Sequence, residues 1–322
     1  MIRMRKPWKK YSIALLAVLL VVYVLGVNFP HSSVLAHKIC SSWVAAKNEV
    51  FYYEHYNQLD DHNVALAADY VAPQGTADKV PVLMYHYIVP QKYNTEPNNN
   101  SIINLESFEQ DMKYLHDHNY HTATLQQLEQ YVNEQITLPE NTVVISFDDG
   151  YQNNIIYAYP IMKKYGFHAT MFVVGSKIQE KTQKFNPSRT SYVSRAEMKA
   201  SADVFEYNSH TYDLHFKAPL HCGDDYAAGM DPDRFMADDH IMREQAGINT
   251  PYFAYPFGDF RMQMIYALKQ SGYRMAFTVH QGFVRPGDDP LKLKRLTVIS
   301  STNIGELLHL EHDPDGSAPV AF

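Results

Sequence analysis

The sequence predicts an α/β fold in which a parallel sheet closes into a (β/α) barrel. Short apolar runs typical of buried strands alternate with amphipathic helical segments from Val80 onward. Repeated strand-then-helix order is typical of parallel sheets with crossover helices. The number of these units fits a distorted or incomplete barrel better than an open sheet. In such barrels the functional residues collect at the carboxyl ends of the strands.

The individual elements follow from local patterns. The clearest strand is Thr142–Phe147, a run rich in β-branched residues. Ser194 and Glu197 have the spacing of a capping box, which predicts a short helix after Ser194. Further strands are predicted at Val80–Tyr85, Ala169–Val174, Val204–Tyr207, Tyr252–Tyr255, Met275–Val279 and Leu296–Ser300. Other helices are predicted at Leu105–His118, Leu125–Val132, Ile155–Tyr165, Asp233–Gln245, Phe260–Ser271 and Glu306–Leu310.

The N-terminus predicts a membrane anchor. A cluster of Lys and Arg residues precedes an uncharged apolar run from Tyr11 to Phe29, about the 20 residues that a spanning helix needs. The basic flank predicts a cytoplasmic N-terminus with the rest of the chain outside. A cleaved signal peptide, processed near Ala36, is the alternative. Both interpretations predict a protein that works beyond the cytoplasmic membrane, and the first makes it a single-pass membrane protein.

Composition and breakers give the domain organisation. Residues 1–30 are predicted as the basic tail and anchor, 31–79 as a helical stalk or linker, and 80–322 as the main domain, with a breaker cluster at Ala72–Thr76 near the boundary. The formal net charge of -7 gives a nucleic-acid partner no electrostatic support. The two cysteines make neither a disulfide framework nor a zinc-thiolate site.

Asp148, Asp149 and Gly150 directly follow the clearest strand. Neighbouring side chains at a strand end point in different directions. One carboxylate can therefore bind a metal ion while the other faces a water molecule or a substrate, and Gly150 permits a sharp exit of the chain. The alternative is an ordinary surface turn.

His210 and His215 follow another predicted strand. Two imidazoles and one carboxylate at strand ends would make a three-ligand set of the kind that catalytic zinc uses. Nitrogen ligands disfavour magnesium and calcium. The five-residue spacing does not place both histidines on one face of a helix, so it requires a loop. The alternative is two surface histidines among the sixteen of the chain.

Three ordered motifs resemble a known family: SFDDG, SHTYDLH and FAYPFG. They resemble those of carbohydrate esterase family 4, the polysaccharide deacetylases with the NodB-homology fold. The opening strand VLMYH and the five-residue histidine spacing resemble the branch that de-N-acetylates poly-β-1,6-N-acetylglucosamine. The resemblance covers roughly residues 80–300 and implies a NodB-type barrel.

The resemblance also implies a metal-dependent mechanism. Asp148 is expected to act as the general base toward a metal-bound water. The implied metal is Zn²⁺, or another divalent transition metal such as Co²⁺ or Ni²⁺. Its implied ligands are Asp149, His210 and His215.

The third motif is expected to form one wall of the substrate groove, with Tyr255 and with Phe257, whose backbone N–H is directed at the oxyanion. The family commonly has an arginine that holds the base where this chain has Ala254. Arg295, just before a predicted strand, is the candidate for that role, and a solvated charge at a strand edge is the alternative. His86 closes the first strand, where it either faces the site or is a buried, hydrogen-bonded histidine.

The expected activity is hydrolysis of N-acetyl groups on a cell-envelope or extracellular N-acetylhexosamine polysaccharide. Two alternatives remain: a glycan-binding pseudoenzyme of the same fold, and an O-deacetylase acting on another polysaccharide. His309 is a weaker candidate for the general acid, which the sequence does not assign. The acidic stretch His221–Asp239 either covers the groove and attracts a cationic polymer or is a solvated loop.

Overall fold

The computed structural model describes residues 75, 77–216, 232–258 and 260–314. The predicted anchor, nearly all of the predicted stalk and residues 221–231 of the acidic stretch lie outside this part of the chain. Within the described residues, no helix combines the length and the apolar character needed to cross a membrane.

Seven parallel strands form a closed ring, which confirms the predicted (β/α) barrel. In chain order the strands are β1 (Val82–Tyr85), β2 (Tyr87–Val89), β3 (Ile102–Asn104), β4 (His121–Thr122), β5 (Thr142–Phe147), β6 (Ala169–Val173), β7 (Phe205–Ser209), β8 (Tyr252–Ala254), β9 (Met275–Gln281) and β10 (Leu293–Thr297). The order around the ring is β1, β10, β9, β8, β7, β6, β5 and back to β1. The ring closes where Val82 lies opposite Val144.

Strands β2, β3 and β4 lie outside the ring and were not predicted. β2 pairs with β3, and β4 adds to the ring beside β5. Each has only two or three residues, which is too short for a side-chain period to show in the sequence.

Seven α-helices surround the barrel in the described part of the chain. They are α1 (Leu105–Asp117), α2 (Leu125–Val132), α3 (Tyr159–Tyr165), α4 (Arg195–Ala200), α5 (Pro232–Ile241), α6 (Met262–Gln270) and α7 (Ile304–Leu308). π-Helical turns precede α3, at Asn154–Ala158, and follow α5, at Met242–Ala246. The helix predicted at Asp233–Gln245 is confirmed as α5 with its π-helical turn, so the last part of the acidic stretch His221–Asp239 is helical.

Alternate side chains of the barrel strands point inward and pack together. Residues from six different strands of the ring share one buried cluster, which places them inside the barrel. These inner residues are Val82, Val144, Phe172, Ala254, Phe277 and Leu293. The outward-facing strand residues pack against the helices instead.

Strand β10 begins three residues earlier than predicted, so Arg295 lies within it rather than before it. Lys294 and Arg295 obscure the start of this strand in the sequence, because charged residues are uncommon in a buried strand. Arg295 is two positions after the inward-facing Leu293, and its side chain is fully buried inside the barrel.

The chain enters the barrel at the amino ends of the strands. Ala77 donates its backbone N–H to the carbonyl of Leu138, in the connection that leads into β5. The Tyr131 hydroxyl donates to the carbonyl of Ala77, and Val80 pairs with Val284 just before β1 begins. The N-terminal segment therefore joins the end of the barrel that is opposite to the carboxyl ends of the strands.

Candidate active site

Three potential metal ligands meet at the carboxyl ends of β5 and β7. One Asp149 oxygen, Oδ1, lies 3.7 Å from Nε2 of His210 and 3.3 Å from Nε2 of His215. One ligand atom from each of the three residues lies within 4.8 Å of the other two. Side chains that are separated by 61 and 66 positions in the chain thus converge on one point, as the strand-end rule predicted.

The backbone turns sharply at the carboxyl end of β5. Asp149 and Gly150 both have positive φ, 72° and 74°. A Cβ on Gly150 would approach Val173 to 3.0 Å. Aspartate tolerates the left-handed region better than most residues, and glycine adopts it freely. These two residues turn the chain out of β5 and direct the Asp149 carboxylate toward the histidines.

His210 is buried and held in one orientation. Its Nδ1 lies 2.7 Å from the carbonyl of Ala254. A carbonyl can only accept a hydrogen bond, so Nδ1 carries the proton and Nε2 presents its lone pair toward Asp149. Burial and the neighbouring His215 lower the pKa of His210 to about 4, although Asp148 and Asp149 oppose this shift. The ring is therefore neutral at neutral pH, as a metal ligand must be.

His215 lies nearer the surface than His210. Its ring packs against Phe257 with the ring centroids 4.5 Å apart, and against the His210 ring at 4.6 Å. Phe257 itself has a positive φ of 59° in the turn Pro256–Gly258 after β8. The third sequence motif therefore forms one side of the site through Phe257.

Asp148 and Arg295 form a buried ion pair inside the barrel mouth. The guanidinium donates two parallel hydrogen bonds to the carboxylate, from Nη1 to Oδ1 at 2.8 Å and from Nη2 to Oδ2 at 2.7 Å. Arg295 Nε also donates to the carbonyl of Thr278 at 2.9 Å. Burial disfavours the ionised form of Asp148, but the Arg295 guanidinium, together with His210 and His86, outweighs burial and holds the pKa of Asp148 well below its usual range.

His86 lies beside Asp148. It directly follows β1, is almost fully buried, and places Nε2 3.8 Å from Oδ2 of Asp148. Asp148 is therefore surrounded by the cationic Arg295 and an imidazole, while Asp149 faces the two histidines of the other group.

Comparison with known proteins identifies the family. A family model described as polysaccharide deacetylase matches residues 135–276. YxkH of Bacillus subtilis (strain 168), which is named as a polysaccharide deacetylase, is 30% identical over 224 residues. This match covers 68% of the present chain and 71% of that protein. The chain belongs to the polysaccharide deacetylase family. It is therefore a hydrolase by family.

Two further similarities are to a deacetylase named for its glycan and to a solved structure. The poly-β-1,6-N-acetyl-D-glucosamine N-deacetylase of Staphylococcus epidermidis is 28% identical over 199 residues, covering 60% of this deacetylase and 66% of the relative. The solved structure of IcaB from Ammonifex degensii has a TM-score of 0.60 at 25% identity, and covers 73% of this chain and 98% of that chain.

The structure brings most of the predicted residues of this deacetylase together, but not Tyr255. The Tyr255 side chain is fully buried among the residues that pack against α5 and α6, and its hydroxyl donates to the carbonyl of Leu291. Side chains alternate along β8, so Ala254 points into the barrel while Phe253 and Tyr255 point outward to the helices. The prediction that Tyr255 lines the groove is therefore wrong for its side chain. His309, at the end of α7, is exposed.

Three clustered tyrosines, of which Tyr151 and Tyr192 lie near Asp149, were not predicted. The rings of Tyr151 and Tyr192 stack at 5.4 Å, and Tyr87 meets Tyr151 edge-on at 5.1 Å. Burial and the charge of Asp149 raise the pKa of Tyr151 well above its usual range. The position of Tyr151, immediately after SFDDG, was the available signal. Tyr87 directly follows the VLMYH strand and Tyr192 lies far from any motif in sequence, so only the fold reveals that they meet Tyr151.

Proposed function

We propose that this deacetylase hydrolyses N-acetyl groups on a β-linked N-acetylhexosamine polysaccharide of the cell envelope or extracellular space. The proposal is supported by two adjacent groups of side chains at one end of the barrel. Asp149, His210 and His215 can hold a divalent metal ion, and Asp148 stands beside them, fixed by Arg295.

The donor set fits a transition metal. Two imidazole nitrogens and one carboxylate oxygen match catalytic zinc sites, which keep a further position open for water or substrate. Zinc–ligand distances of about 2 Å allow ligand atoms to lie up to about 4 Å apart, which agrees with the separations of 3.3 and 3.7 Å. We therefore propose Zn²⁺, with Co²⁺ or Ni²⁺ as alternatives. Such an ion would polarise the acetyl carbonyl and lower the pKa of a bound water.

Asp148 is proposed as the general base. The Arg295 pair keeps its carboxylate ionised, so it can accept a proton at neutral pH. The same pair makes Asp148 a weak base, and it therefore needs an acidified water as its proton donor. Arg295 also fixes both carboxylate oxygens, which leaves only the remaining lone pairs to receive the proton.

The groove is proposed to run past Phe257, which contacts His215, and past His86, which lies beside Asp148. The backbone N–H of Phe257 is proposed as the donor to the oxyanion. The name of the S. epidermidis relative supports poly-β-1,6-N-acetylglucosamine as a substrate, and peptidoglycan is the main alternative.

Acetate release tests the proposal directly. The full chain should release acetate from soluble N-acetylglucosamine oligomers, lose this activity with a chelator and regain it with Zn²⁺. A panel of chitin oligomers, β-1,6-linked oligomers, peptidoglycan and acetylated xylan assigns the linkage. Release from xylan alone would support the O-deacetylase alternative. Binding to a glycan without release from any substrate would support the pseudoenzyme alternative.

Variants of the two aspartates separate the roles. Asp148→Asn should bind Zn²⁺ and oligomers but lower acetate release by at least about 100-fold, the usual contribution of a general base. Asp149→Ala should lose Zn²⁺ binding. If Asp148→Asn released acetate as fast as the wild type, the assignment of the base would be wrong.

We also propose that residues 1–30 anchor the protein in the cell membrane, with the deacetylase domain on the extracytoplasmic side. The apolar run and its basic flank support this proposal. In cell fractionation the chain should remain with the membrane and be cleaved by protease added outside. Mass spectrometry of the isolated protein decides between the alternatives, because a cleaved signal peptide would leave a chain that begins near residue 37.

A further inference from the structure

The loop between the two candidate metal ligands of β7 is irregular. Thr211 has a φ of 69°, which is unusual for a β-branched residue. Its hydroxyl accepts a hydrogen bond from the N–H of Leu214 at 3.3 Å. His215 therefore reaches Asp149 through a strained loop rather than a regular element, and its position depends on what holds that loop.

A buried carboxylate of α5 holds the loop from one side. Asp238 accepts a hydrogen bond from the N–H of Tyr212 to Oδ2 at 2.7 Å, and one from the N–H of Asp213 to Oδ1 at 2.9 Å. Only 8% of Asp238 is exposed. One turn earlier on α5, Phe235 belongs to the same buried cluster as Leu214 of the loop. Helix α5 thus binds the loop through both a charged group and an apolar one.

The turn after β6 holds the loop from the other side. Gly175 donates its N–H to the carbonyl of Thr211 at 3.0 Å, and Ser176 donates to the carbonyl of Tyr212 at 2.7 Å. The fit is close, since a Cβ on Gly175 would lie 2.6 Å from the Tyr212 ring. On this side the loop is bound by backbone alone, so Asp238 is the side chain whose removal would release it selectively.

We infer that Asp238 is a positioning residue for the metal centre, which sets the place of His215 relative to His210 by fixing the two backbone amides between them. This inference rests on the proposed metal-dependent function. Hydrogen bonds to an ionised acceptor are stronger than neutral ones, and both Asp238 oxygens are used. Removing the carboxylate leaves two N–H groups without their acceptor and lets the loop shift away from Asp149.

The next residue of the helix provides a matched control. Asp239 is as buried as Asp238, with 5% exposed, but its carboxylate accepts from the Tyr273 hydroxyl and from Arg243 Nε rather than from the loop. A substitution at Asp239 therefore disturbs the same helix to a similar degree without releasing the amides of Tyr212 and Asp213.

The experiment compares four full-length proteins: the wild type, Asp238→Ala, Asp238→Asn and Asp239→Asn. Zn²⁺ affinity is measured by competition with a chromophoric chelator, and ligand geometry by visible absorption of the Co²⁺-loaded proteins. Asp238→Ala should bind Zn²⁺ about 10–100-fold more weakly, the range for loss of a group that orients a metal ligand. Asp238→Asn keeps one acceptor oxygen, so its Zn²⁺ affinity should lie between those of the wild type and Asp238→Ala. Both should change the Co²⁺ spectrum.

Asp239→Asn should lower the melting temperature yet keep the wild-type Zn²⁺ affinity and Co²⁺ spectrum. The inference is overturned if both Asp238 variants bind Zn²⁺ like the wild type, or if Asp239→Asn loses as much affinity as they do. If Asp238→Ala does not fold, Asp238→Asn decides. A wild type that binds no Zn²⁺ would instead contradict the proposed function.

Discussion

At the residue scale, the ion pair of Asp148 and Arg295 is the most unusual feature of the barrel. Removing two charges from water is costly, and a buried pair repays that cost only with good geometry and additional hydrogen bonds. Both are present, because the guanidinium binds the carboxylate through two nitrogens and Thr278 through the third. The pair is therefore better explained by the need to hold an ionised carboxylate at the site than by stability.

Removing one member of this pair should be strongly destabilising. Arg295→Met leaves the Asp148 charge buried without its partner, and the expected loss is roughly 3–5 kcal/mol of unfolding free energy. The double variant with Asp148→Asn should recover part of that loss. Urea denaturation measures both. Lys163→Met breaks an exposed pair with Asp203 that water screens, so it should change the unfolding free energy little. Equal losses in Arg295→Met and Lys163→Met would contradict this account.

Asp111 gives a pH-dependent prediction outside the site. Burial on α1 raises its pKa to about 7, although the hydrogen bond from the Tyr85 hydroxyl opposes the shift. The folded state therefore retains a proton that the unfolded state releases near pH 4, so Asp111 makes the protein less stable as the pH rises from about 4 to about 7.

Asp111→Asn should remove this loss. The difference in unfolding free energy between the variant and the wild type should therefore change in favour of the variant by roughly 4 kcal/mol from pH 4 to pH 7, at 1.36 kcal/mol per pKa unit. Denaturation at a series of pH values measures it. Asp117→Asn on the exposed face of α1 is the control. The pKa of Asp117 is lowered, so its carboxyl stays ionised in the folded protein from pH 4 to pH 7. A pH-independent difference at Asp111 would refute the prediction.

The sequence predicted those site residues whose positions follow from strand ends. Asp149, His210 and His215 each come at or shortly after the end of a strand, and parallel strands end on the same side of a barrel. Arg295 was a candidate on weaker grounds, since its strand was misplaced. Tyr255 was wrong because proximity to a motif does not give the direction of a side chain. Tyr87 and Tyr192 required the three-dimensional fold.

At the element scale, the turns after the barrel strands carry the backbone strain. Asp149, Thr211 and Phe257 all have positive φ, and they follow β5, β7 and β8 at the site. Left-handed residues other than glycine cost stability and are retained where function needs the geometry. The strands were predictable from periodicity, and Asp149 and Gly150 indicated the turn after β5, whereas Thr211 and Phe257 give no signal of a left-handed conformation.

Gly258 tests how tightly the turn beside Phe257 is packed. It has a φ of 70°, and a Cβ there would lie 2.3 Å from a methyl of Val279. Gly258→Ala should therefore lower the unfolding free energy by at least about 2 kcal/mol, through both backbone strain and a clash, and should reduce acetate release. Calorimetry and the acetate assay measure the two effects.

Gly166, at the end of α3, is the matched control for Gly258. It has nearly the same φ, 71°, but a Cβ there would meet nothing within 4 Å. Gly166→Ala should lose only about 1 kcal/mol, from the strain alone, and keep full activity. If the two alanine variants lose equal stability, close packing of the turn is not the reason for Gly258.

Helix prediction succeeded where the local signal was complete. Ser194 and Glu197 form both hydrogen bonds of the capping box, and α4 begins at Arg195 as predicted. The segment predicted as one helix at Ile155–Tyr165 begins instead with a π-helical turn. Hydrophobic periodicity cannot distinguish that turn from an α-helix over so few residues.

At the scale of the whole molecule, a bound metal would connect strands that lie apart in the ring. Asp149 follows β5 and the two histidines follow β7, with β6 between them. Zn²⁺ should therefore stabilise the folded barrel, by about 2.7 kcal/mol when its concentration is 100 times the Kd. Thermal denaturation with and without Zn²⁺ measures the shift. Asp149→Ala should show none, and an equal shift in that variant would place the ion elsewhere.

The chain enters the barrel at the end opposite to these ligands. A six-residue strand such as β5 is about 20 Å long, so the metal ligands lie roughly that far beyond the point where the N-terminal segment joins. In a protein held by its N-terminal segment, as we propose, the attachment and the metal ligands would therefore be at opposite ends of the barrel. A glycan chain could then reach the ligands from the end that does not carry the attachment.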